Sequence, residues 1–290
     1  MNPSLPESLL IIAGWGVYPQ LLALGARRAG VRHIEAIGFR GTSYKDLMPL
    51  LDKFESMPMG SLSRFMKTVD ANTCEAATLV GQIHPLTLFR AKFDEAARGE
   101  LKRLSLRNAH TIYGRIADMV ADAGKRVLPA SLFMDAHLPR AGCLTRRAPT
   151  AEEAEDIAYG MRTALSICDL DIGQTLVVKR GSVLAVEAFE GTDAAIRRGA
   201  RLGGDGAVVV KVAKNGHDMR FDIPVMGMRS LRVLRRCRVR TLGIQAGRVL
   251  LLEQDRFLAE ADRMGLAISA VETGLPVAPT FVEAAAGEAG

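Results

Sequence analysis

Five carboxylates and three cations stand close together in the second half of the chain, between residues 187 and 222. They are Glu187, Glu190, Asp193, Asp218 and Asp222, with Lys211, Lys214 and Arg220. Carboxylate oxygens are the ligands that hard divalent cations prefer, and lysine and arginine side chains bind phosphate oxygens. This combination of side chains favours metal-assisted chemistry on a phosphorylated substrate.

Two short motifs hold most of these acidic residues. The motif E-G-T-D at residues 190–193 has a threonine placed to cap a helix over residues 193–201. Its carboxylates can bind a ligand, or they can simply favour the helix dipole. In the second motif, Asp218, Arg220 and Asp222 share one face if the segment is extended. They then suit either a metal with a phosphoryl oxygen or a ladder of surface ion pairs.

The N-terminal half carries a glycine motif at Gly14, Trp15 and Gly16. A strand pattern precedes it at residues 8–13, and a helical pattern follows at residues 18–29. The motif is half of a dinucleotide fingerprint, because the usual third glycine is absent. Its backbone amides could hold phosphate at the helix start, and the open alternative is a plain strand-to-helix turn.

Strands alternate with helices through the first half of the chain. Strands are predicted at residues 8–13, 33–38 and 75–80, and helices at residues 18–29, 62–69 and 108–124. This alternation favours a Rossmann-like parallel sheet flanked by helices. Gly81 and Gln82 follow the third strand, and open α/β sheets bind ligands at that end of their strands.

The second half predicts a mixed α/β domain. A capping box at residues 150–153 begins a helix that runs to about residue 168. Further elements are predicted as a hairpin at residues 175–179 and 183–189, strands at 207–213 and 266–271, two short strands within 243–252, and a helix at 256–264. The expected organisation is a domain at residues 1–135, a linker at 136–149, a domain at 150–275 and a loose tail at 276–290.

Size and charge narrow the class of protein and its partners. The chain has 290 residues, which is long for one core and favours two domains. Its net charge of +6 suggests an anionic partner, while an aromatic content of 5% leaves few stacking platforms for nucleic acid. The arginine-rich segment at residues 229–240 predicts either a helix with Leu231 and Leu234 turned inward or a membrane-attracting surface.

The cysteines and the N-terminal residues indicate a compartment. The four cysteines show neither the paired spacing of a metal site nor a disulfide framework, and reduced thiols in a cytoplasmic protein are the simplest account. The first residues lack the basic region of a signal peptide, and no apolar run reaches the roughly 20 residues of a spanning helix. We expect a cytoplasmic protein, with peripheral contact to a membrane left open.

Longer motifs point to a family. They are D-I-G-Q at residues 171–174, V-E-A-F-E-G-T-D at residues 186–193 and K-V-A-K-N-G-H-D-M-R-F-D-I-P at residues 211–224. These motifs resemble the C-terminal signature of the LpxI-type UDP-2,3-diacylglucosamine pyrophosphatases. The sequence I-I-A-G-W-G-V-Y-P at residues 11–19 resembles that family's opening, and the likeness extends over nearly the whole chain.

The resemblance implies two α/β domains and hydrolysis of UDP-2,3-diacylglucosamine to UMP and 2,3-diacylglucosamine 1-phosphate in lipid A biosynthesis. It also implies dependence on Mg²⁺ or Mn²⁺, transient contact with the inner-membrane surface, and a homodimer. The family's key aspartate corresponds to Asp222, with Asp218 beside it. We expect the acyl chains to occupy an apolar chamber between the domains.

These implications combine with the residue chemistry in one hypothesis. Asp222 and Asp218 hold a metal that bridges pyrophosphate oxygens, with help from Glu190 or from Asp193. Cationic side chains offset the charge that develops on those oxygens. The cations are Lys211, Lys214 and Arg220. The predicted substrate-binding residues are Gly14, Trp15, Gly16, Gly81, Gln82, Glu187, Gly191 and Thr192.

Two other classes of function stay open. One is a non-catalytic lipid- or nucleotide-binding paralogue of the same fold, because Trp15 and His217 replace residues that the resembling family usually has. The other is binding of nucleic acid through residues 229–240, which the scarcity of aromatic residues disfavours. We expect no nucleic-acid partner.

Overall fold

The computed structural model describes residues 4–82, 92–104, 109–216, 218–275 and 278. His217, which the sequence analysis singles out, lies outside the described residues, as does nearly all of the predicted tail. The chain forms two compact units. The first comprises the described residues of Met1–Asp135 together with Asp218–Asp222, and the second comprises those of Ala136–His217 and Ile223–Ala278.

The first unit is built on one parallel sheet. Its strands are β1 (Ser8–Ala13), β2 (His33–Phe39), β3 (Lys53–Met57), β4 (Ala76–Val80) and β5 (Arg126–Val127). Its helices are α1 (Tyr18–Ala29), α2 (Leu62–Ala71), α3 (Glu95–Arg103) and α4 (Ala109–Asp122), and Met48–Leu50 forms a 3₁₀ turn. The strand order is β3-β2-β1-β4-β5, with every neighbouring pair parallel.

The composition of β1 explains its central place in this sheet. Leu9, Leu10 and Ile11 are buried on alternating faces, as expected for a parallel strand covered on both sides. From β1 the chain adds β2 and β3 on one side, and then β4 on the other. This reversal creates a switch point between the carboxyl ends of β1 and β4, where open α/β sheets form a ligand-binding crevice.

The second unit holds a mixed sheet. Its strands are β6 (Gly142–Cys143), β7 (Thr175–Lys179), β8 (Ser182–Val186), β9 (Val208–Lys211), β10 (Val225–Met226), β11 (Thr241–Gln245), β12 (Leu250–Leu251) and β13 (Ala267–Val271). Its helices are α5 (Ala151–Asp169), α6 (Thr192–Gly203), α7 (Met228–Arg236) and α8 (Gln254–Arg263). The main sheet has the order β6-β13-β11-β9-β7-β8, and β10 pairs separately with β12.

The register of the second sheet gathers the carboxyl ends of β9, β11 and β13 at one edge, because these strands are parallel. Strand β7 runs antiparallel to β9, so its first residue, Thr175, lies opposite Lys211. Lys211 in turn lies opposite Ile244. Apolar side chains of α5 pack on one face of the sheet, while those of α6, α7 and α8 belong to the core cluster on the other.

Much of the predicted secondary structure is confirmed. The first strand and first helix match residues 8–13 and 18–29, and the capping box at Thr150 is formed. The arginine-rich segment contains α7, with Leu231 and Leu234 buried as predicted. None of the described helices is long and apolar enough to cross a membrane.

Several local predictions are wrong. The segment from Asp218 to Asp222 is a turn rather than an extended ladder, because the Asp222 amide donates to the Asp218 carbonyl oxygen at 3.0 Å. Helix α6 is capped by Gly191 and begins at Thr192, which is therefore not the cap. The segment predicted as a linker contributes β6 to the second sheet. The two short strands predicted within residues 243–252 are confirmed as β11 and β12, which belong to different sheets.

Removing the cap of α5 should lower the stability of the second unit. The Thr150 hydroxyl accepts from the Glu153 amide at 3.3 Å, and the Glu153 carboxylate accepts from the Thr150 amide at 2.8 Å. We expect Thr150→Ala to lower the free energy of unfolding by about 1 kcal/mol, measured by urea denaturation. Ser166→Ala, at an exposed position in the last turn of the same helix, is the control and should change it by less than about 0.5 kcal/mol. Equal losses in both variants would contradict the capping role.

Candidate functional site

The loops after β1 and β4 are joined by backbone hydrogen bonds at the carboxyl edge of the first sheet. The Gly14 amide donates to the Val80 carbonyl at 2.7 Å. Trp15 and Gln82 exchange amide–carbonyl bonds at 2.7 and 2.9 Å. The predicted substrate-binding residues of the first half therefore lie together, at the switch point of the sheet.

This junction requires glycine at two positions. A Cβ on Gly14 would lie 2.8 Å from the carbonyl oxygen of Gln82 and from the carbonyl carbon of Gly81, closer than side-chain contacts allow. Gly81 has a φ of +96°, a backbone conformation that glycine adopts without strain. The Trp15 side chain is 49% exposed, so its indole ring is available to a ligand at this edge.

An apolar cavity of the first unit adjoins the same edge. Gly14 and Gly81 form part of its wall, and helices α2, α3 and α4 supply most of the rest. The apolar lining includes Phe39, Leu62, Phe65, Leu101, Ile116 and Met119. Glu100 and Arg115 also line it, and they form an ion pair at 2.7 Å. The cavity thus joins a hydrocarbon-like interior to a polar edge rich in backbone amides.

The turn that holds Asp218 and Asp222 packs within the first unit, although the sequence predicts it in the C-terminal domain. Nε and Nη2 of Arg220 donate to the Asp218 carboxylate at 2.6 to 3.1 Å, and Nη1 donates to Asp118 of α4 at 2.9 Å. These bonds, first of all those to Asp218, hold the pKa of the Arg220 guanidinium above its usual range. Phe221 stacks on Tyr113 with ring centroids 5.9 Å apart and lines the apolar cavity.

The second unit has its own polar cluster at the carboxyl edge of β9. Lys211 is 3% exposed, and its ammonium donates to the hydroxyls of Thr175 at 3.0 Å and Thr192 at 3.1 Å. The Thr192 hydroxyl donates in turn to Oε1 of Glu187 at 2.7 Å. The other carboxylate oxygen, Oε2, lies 3.7 Å from the ammonium nitrogen. It is buried and has no hydrogen-bond partner among the described residues.

This cluster can accept and stabilise a polar ligand. A buried ammonium is expensive unless a carboxylate and hydrogen bonds compensate for lost hydration, and Lys211 has both. The unpartnered Oε2 of Glu187 offers a further acceptor, because buried oxygens normally have a donor. The arrangement suits a phosphate oxygen near the ammonium and a ligand hydroxyl or amide near the carboxylate.

The other predicted carboxylates of the second unit are engaged by arginines. Glu190 pairs with Arg198 at 2.6 Å, and this hydrogen bond holds the pKa of the Glu190 carboxyl below its usual range. Asp193 accepts from Arg229 at 2.8 Å and from the Ser230 hydroxyl at 3.3 Å. Both carboxylates therefore have a structural role in addition to any part in ligand binding.

Lys214 belongs to a second polar group near the end of β9. It pairs with Asp171 at 2.7 Å, and this hydrogen bond raises the pKa of the Lys214 ammonium. The buried Arg248 donates to the Lys214 carbonyl at 2.8 Å, and Gln245 accepts from the Ala213 amide at 2.8 Å. Sequence reasoning missed Asp171, Gln245 and Arg248; the D-I-G-Q motif could have pointed to Asp171.

The structure distributes the four predicted metal ligands between the two units. Asp218 and Asp222 lie in the first unit, whereas Glu190 and Asp193 lie in the second. Among the described residues, these carboxylates form no group of three with ligand atoms within reach of one ion. The turn of Asp218 and Asp222 still fits Mg²⁺, which commonly takes one or two protein carboxylates and completes its shell with substrate phosphates. Metal binding here stays a prediction.

Comparison with known proteins covers nearly the whole chain. The family model described as the LpxI N-terminal domain matches residues 8–137, and that of the LpxI C-terminal domain matches residues 140–269. A relative from Caulobacter vibrioides is 30% identical over 284 residues, covering 92% of this chain and 98% of that protein. That relative is named UDP-2,3-diacylglucosamine pyrophosphatase LpxI.

The buried pair of Lys211 and Glu187 should show strong energetic coupling. We expect Lys211→Met to cost about 3 kcal/mol of unfolding free energy, because it leaves a buried carboxylate without its cation. Adding Glu187→Gln should restore part of that loss, so that a double-mutant cycle gives a coupling of roughly 1 to 3 kcal/mol. Denaturation in guanidinium chloride gives the free energy of unfolding of the wild type, the two single variants and the double variant.

The more exposed pair of Lys214 and Asp171 provides the matched control. The cycle of Lys214→Met with Asp171→Asn should give a coupling of about 1 kcal/mol or less, because solvent screens the pair. Additive effects of the Lys211 and Glu187 substitutions would show that the two charges do not depend on each other.

Proposed function

The chain belongs to the LpxI family, and we propose that it hydrolyses the pyrophosphate bond of UDP-2,3-diacylglucosamine. The products are UMP and 2,3-diacylglucosamine 1-phosphate, an intermediate of lipid A synthesis. The name of the Caulobacter vibrioides relative supports the substrate and the reaction. The structural observation that carries the proposal is the apolar cavity beside the glycine edge of the first unit. An acylated sugar nucleotide needs an apolar space for its acyl chains and a polar edge for its phosphates.

The cavity suits an acyl chain. Its wall is formed largely by phenylalanine, leucine, isoleucine and methionine side chains, and burial of each methylene of a chain contributes about 0.8 kcal/mol. The Glu100–Arg115 ion pair supplies polar groups at the wall. A fatty acyl group can enter such a space while its sugar and phosphates remain at the polar edge.

The glycine edge suits the nucleotide diphosphate. Helix α1 begins directly after it, and its N-terminal cap, Val17, makes no side-chain hydrogen bond. Uncapped backbone amides at a helix start attract phosphate oxygens. We assign Gly14 and Gly16 to the phosphates and the half-exposed Trp15 to the uridine.

Charged side chains of the first unit are assigned to the pyrophosphate. Asp218 and Asp222 would hold Mg²⁺ or Mn²⁺, and the ion, when bound, would withdraw charge from the pyrophosphate oxygens. Arg220 neutralises Asp218 through hydrogen bonds from Nε and Nη2, and its guanidinium would also offset charge on phosphate oxygens of the substrate. In the second unit, the desolvated ammonium of Lys211 could by itself bind a phosphate oxygen of a ligand, because a cation acts most strongly where water is excluded.

Contact with the membrane surface is part of the proposal, because the substrate is a lipid. Arg232, Arg235 and Arg236 are exposed on α7, and basic residues near an anionic leaflet each contribute about 1 kcal/mol of attraction. Formation of a homodimer stays a prediction.

Hydrolysis should depend on a divalent cation and on Asp222. We expect Asp222→Asn to lower kcat/KM for UMP release by about a hundredfold or more, because charge stabilisation in the transition state is lost. EDTA should abolish the reaction, and Mg²⁺ or Mn²⁺ should restore it. Asp255→Asn, an exposed aspartate in the first turn of α8, is the control and should keep full activity. Undiminished turnover in EDTA would refute the metal scheme, and substrate binding without UMP release under any metal would favour the non-catalytic paralogue.

Filling the cavity should select against long acyl chains. Ala97 of α3 lines the cavity, and Ala97→Leu should raise KM for the long-chain substrate by about tenfold or more, since the displaced methylenes lose their burial energy. The KM for UDP-glucosamine with short acyl groups should change little. Ala121→Leu, on the exposed face of α4, controls for the added leucine. Equal effects on both substrates would place the acyl chains elsewhere.

A further inference from the structure

A second polar cluster occupies the opposite edge of the first sheet, at the amino ends of its strands. His33 and Glu35 lie at the start of β2, and Cys74 lies just before β4. One ligand atom from each of these three residues lies within 4.8 Å of the others. Among the described residues, this is the one set of three histidine, cysteine or acidic side chains that converges in this way.

We propose that His33, Glu35 and Cys74 bind a thiophilic divalent cation, with Zn²⁺ as the best match. Imidazole nitrogen, thiolate sulfur and carboxylate oxygen are together the donor set of zinc sites. Donor atoms around a tetrahedral zinc lie about 3.5 Å apart, given bonds of about 2.0 to 2.3 Å. The observed spread of 4.8 Å or less therefore closes onto the ion with small side-chain movements.

Neighbouring groups orient two of the three ligands. Nδ1 of His33 lies 3.5 Å from Oδ2 of Asp52, while its Nε2 faces Oε1 of Glu35 at 2.9 Å. A carboxylate behind one ring nitrogen fixes the tautomer that presents the other nitrogen to a metal. Asp52 is itself fixed by the Ile34 amide at 2.7 Å. The Asp52 carboxylate therefore lies on the side of the ring where a zinc-bound histidine usually has its supporting acceptor.

Glu35 is held in the same manner. Nδ2 of Asn72 donates to Oε2 of Glu35 at 2.8 Å, leaving Oε1 directed toward His33. Oδ1 of the Asn72 side chain accepts from the Cys74 amide at 2.9 Å, so one side chain positions both the carboxylate ligand and the cysteine backbone. The Cys74 thiol is buried. A bound divalent cation would deprotonate it and become its counter-charge.

This edge is distinct from the glycine edge, because parallel strands place their amino and carboxyl ends on opposite sides of the sheet. The proposed site would tie β2 to the segment before β4, across β1. Since His33 has a side chain that is 45% exposed, the ion can enter from solvent and a water molecule can complete its shell.

Anaerobic Co²⁺ titration of the full chain, stripped with chelator, tests the site without reference to catalysis. We expect one equivalent of Co²⁺ to give thiolate-to-cobalt charge-transfer absorption and the visible bands of a tetrahedral ion, both displaced by one equivalent of Zn²⁺. Cys74→Ser should remove the charge-transfer band. Cys168→Ser, which alters another buried cysteine, should leave it unchanged.

Two milder variants keep the test decisive if Cys74→Ser fails to fold. His33→Gln changes a half-exposed side chain and should weaken Zn²⁺ affinity by about tenfold or more, and Asp52→Asn should weaken it by about 10- to 100-fold through the supporting shell. The proposal is overturned if wild type gives no thiolate charge transfer, if the band survives in Cys74→Ser, or if the affinity of both milder variants equals that of wild type.

Discussion

The buried ammonium of Lys211 places the most demanding physical constraint on the second unit. A lysine that is 3% exposed costs several kcal/mol of lost hydration unless an opposite charge and acceptors surround it. Three elements supply them: Thr175 by its antiparallel register with Lys211, Glu187 from the end of the β7–β8 hairpin, and Thr192 from the start of α6. The hairpin, the strand and the helix must therefore meet around this ammonium. They meet at the carboxyl end of the parallel strands, which is where such sheets usually bind ligands.

In the first unit, the corresponding constraint is the close approach of two backbone segments. Gly14 and Gly81 have no room for side chains between the loops that follow β1 and β4, and this close approach opens the polar edge directly beside an apolar cavity. The requirement is steric, so it applies at Gly14 and Gly81 whether or not a third glycine follows. An edge of backbone amides beside a hydrocarbon-lined wall is suited to an amphiphile, which is the class of molecule that the family's substrate belongs to.

Elements that depend on residues close in sequence could be predicted from the sequence. Features that depend on contacts between distant residues could not. Strand β1 and helix α1 depend on local apolar periodicity and were predicted to the residue. The turn of Asp218 and Asp222 was misplaced, because Arg220 is anchored by Asp118, which is 102 residues away in sequence. Thr192 was mistaken for a cap because its hydroxyl bonds to Glu187 instead of to its own helix, and no local pattern distinguishes these two uses.

The same limit explains why the cysteine count gave no sign of a soft-metal site. Spacing rules find ligands that are close in sequence, whereas His33 and Cys74 are brought together by the order of the sheet strands. The two proposed metal sites differ in chemistry as well as in place. The carboxylate pair of Asp218 and Asp222 offers oxygen donors alone, which suit Mg²⁺ or Mn²⁺, while thiolate and imidazole prefer Zn²⁺. A zinc ion at the amino edge would therefore be held by other donors than an ion on the carboxylate pair, and loss of one ion would not require loss of the other.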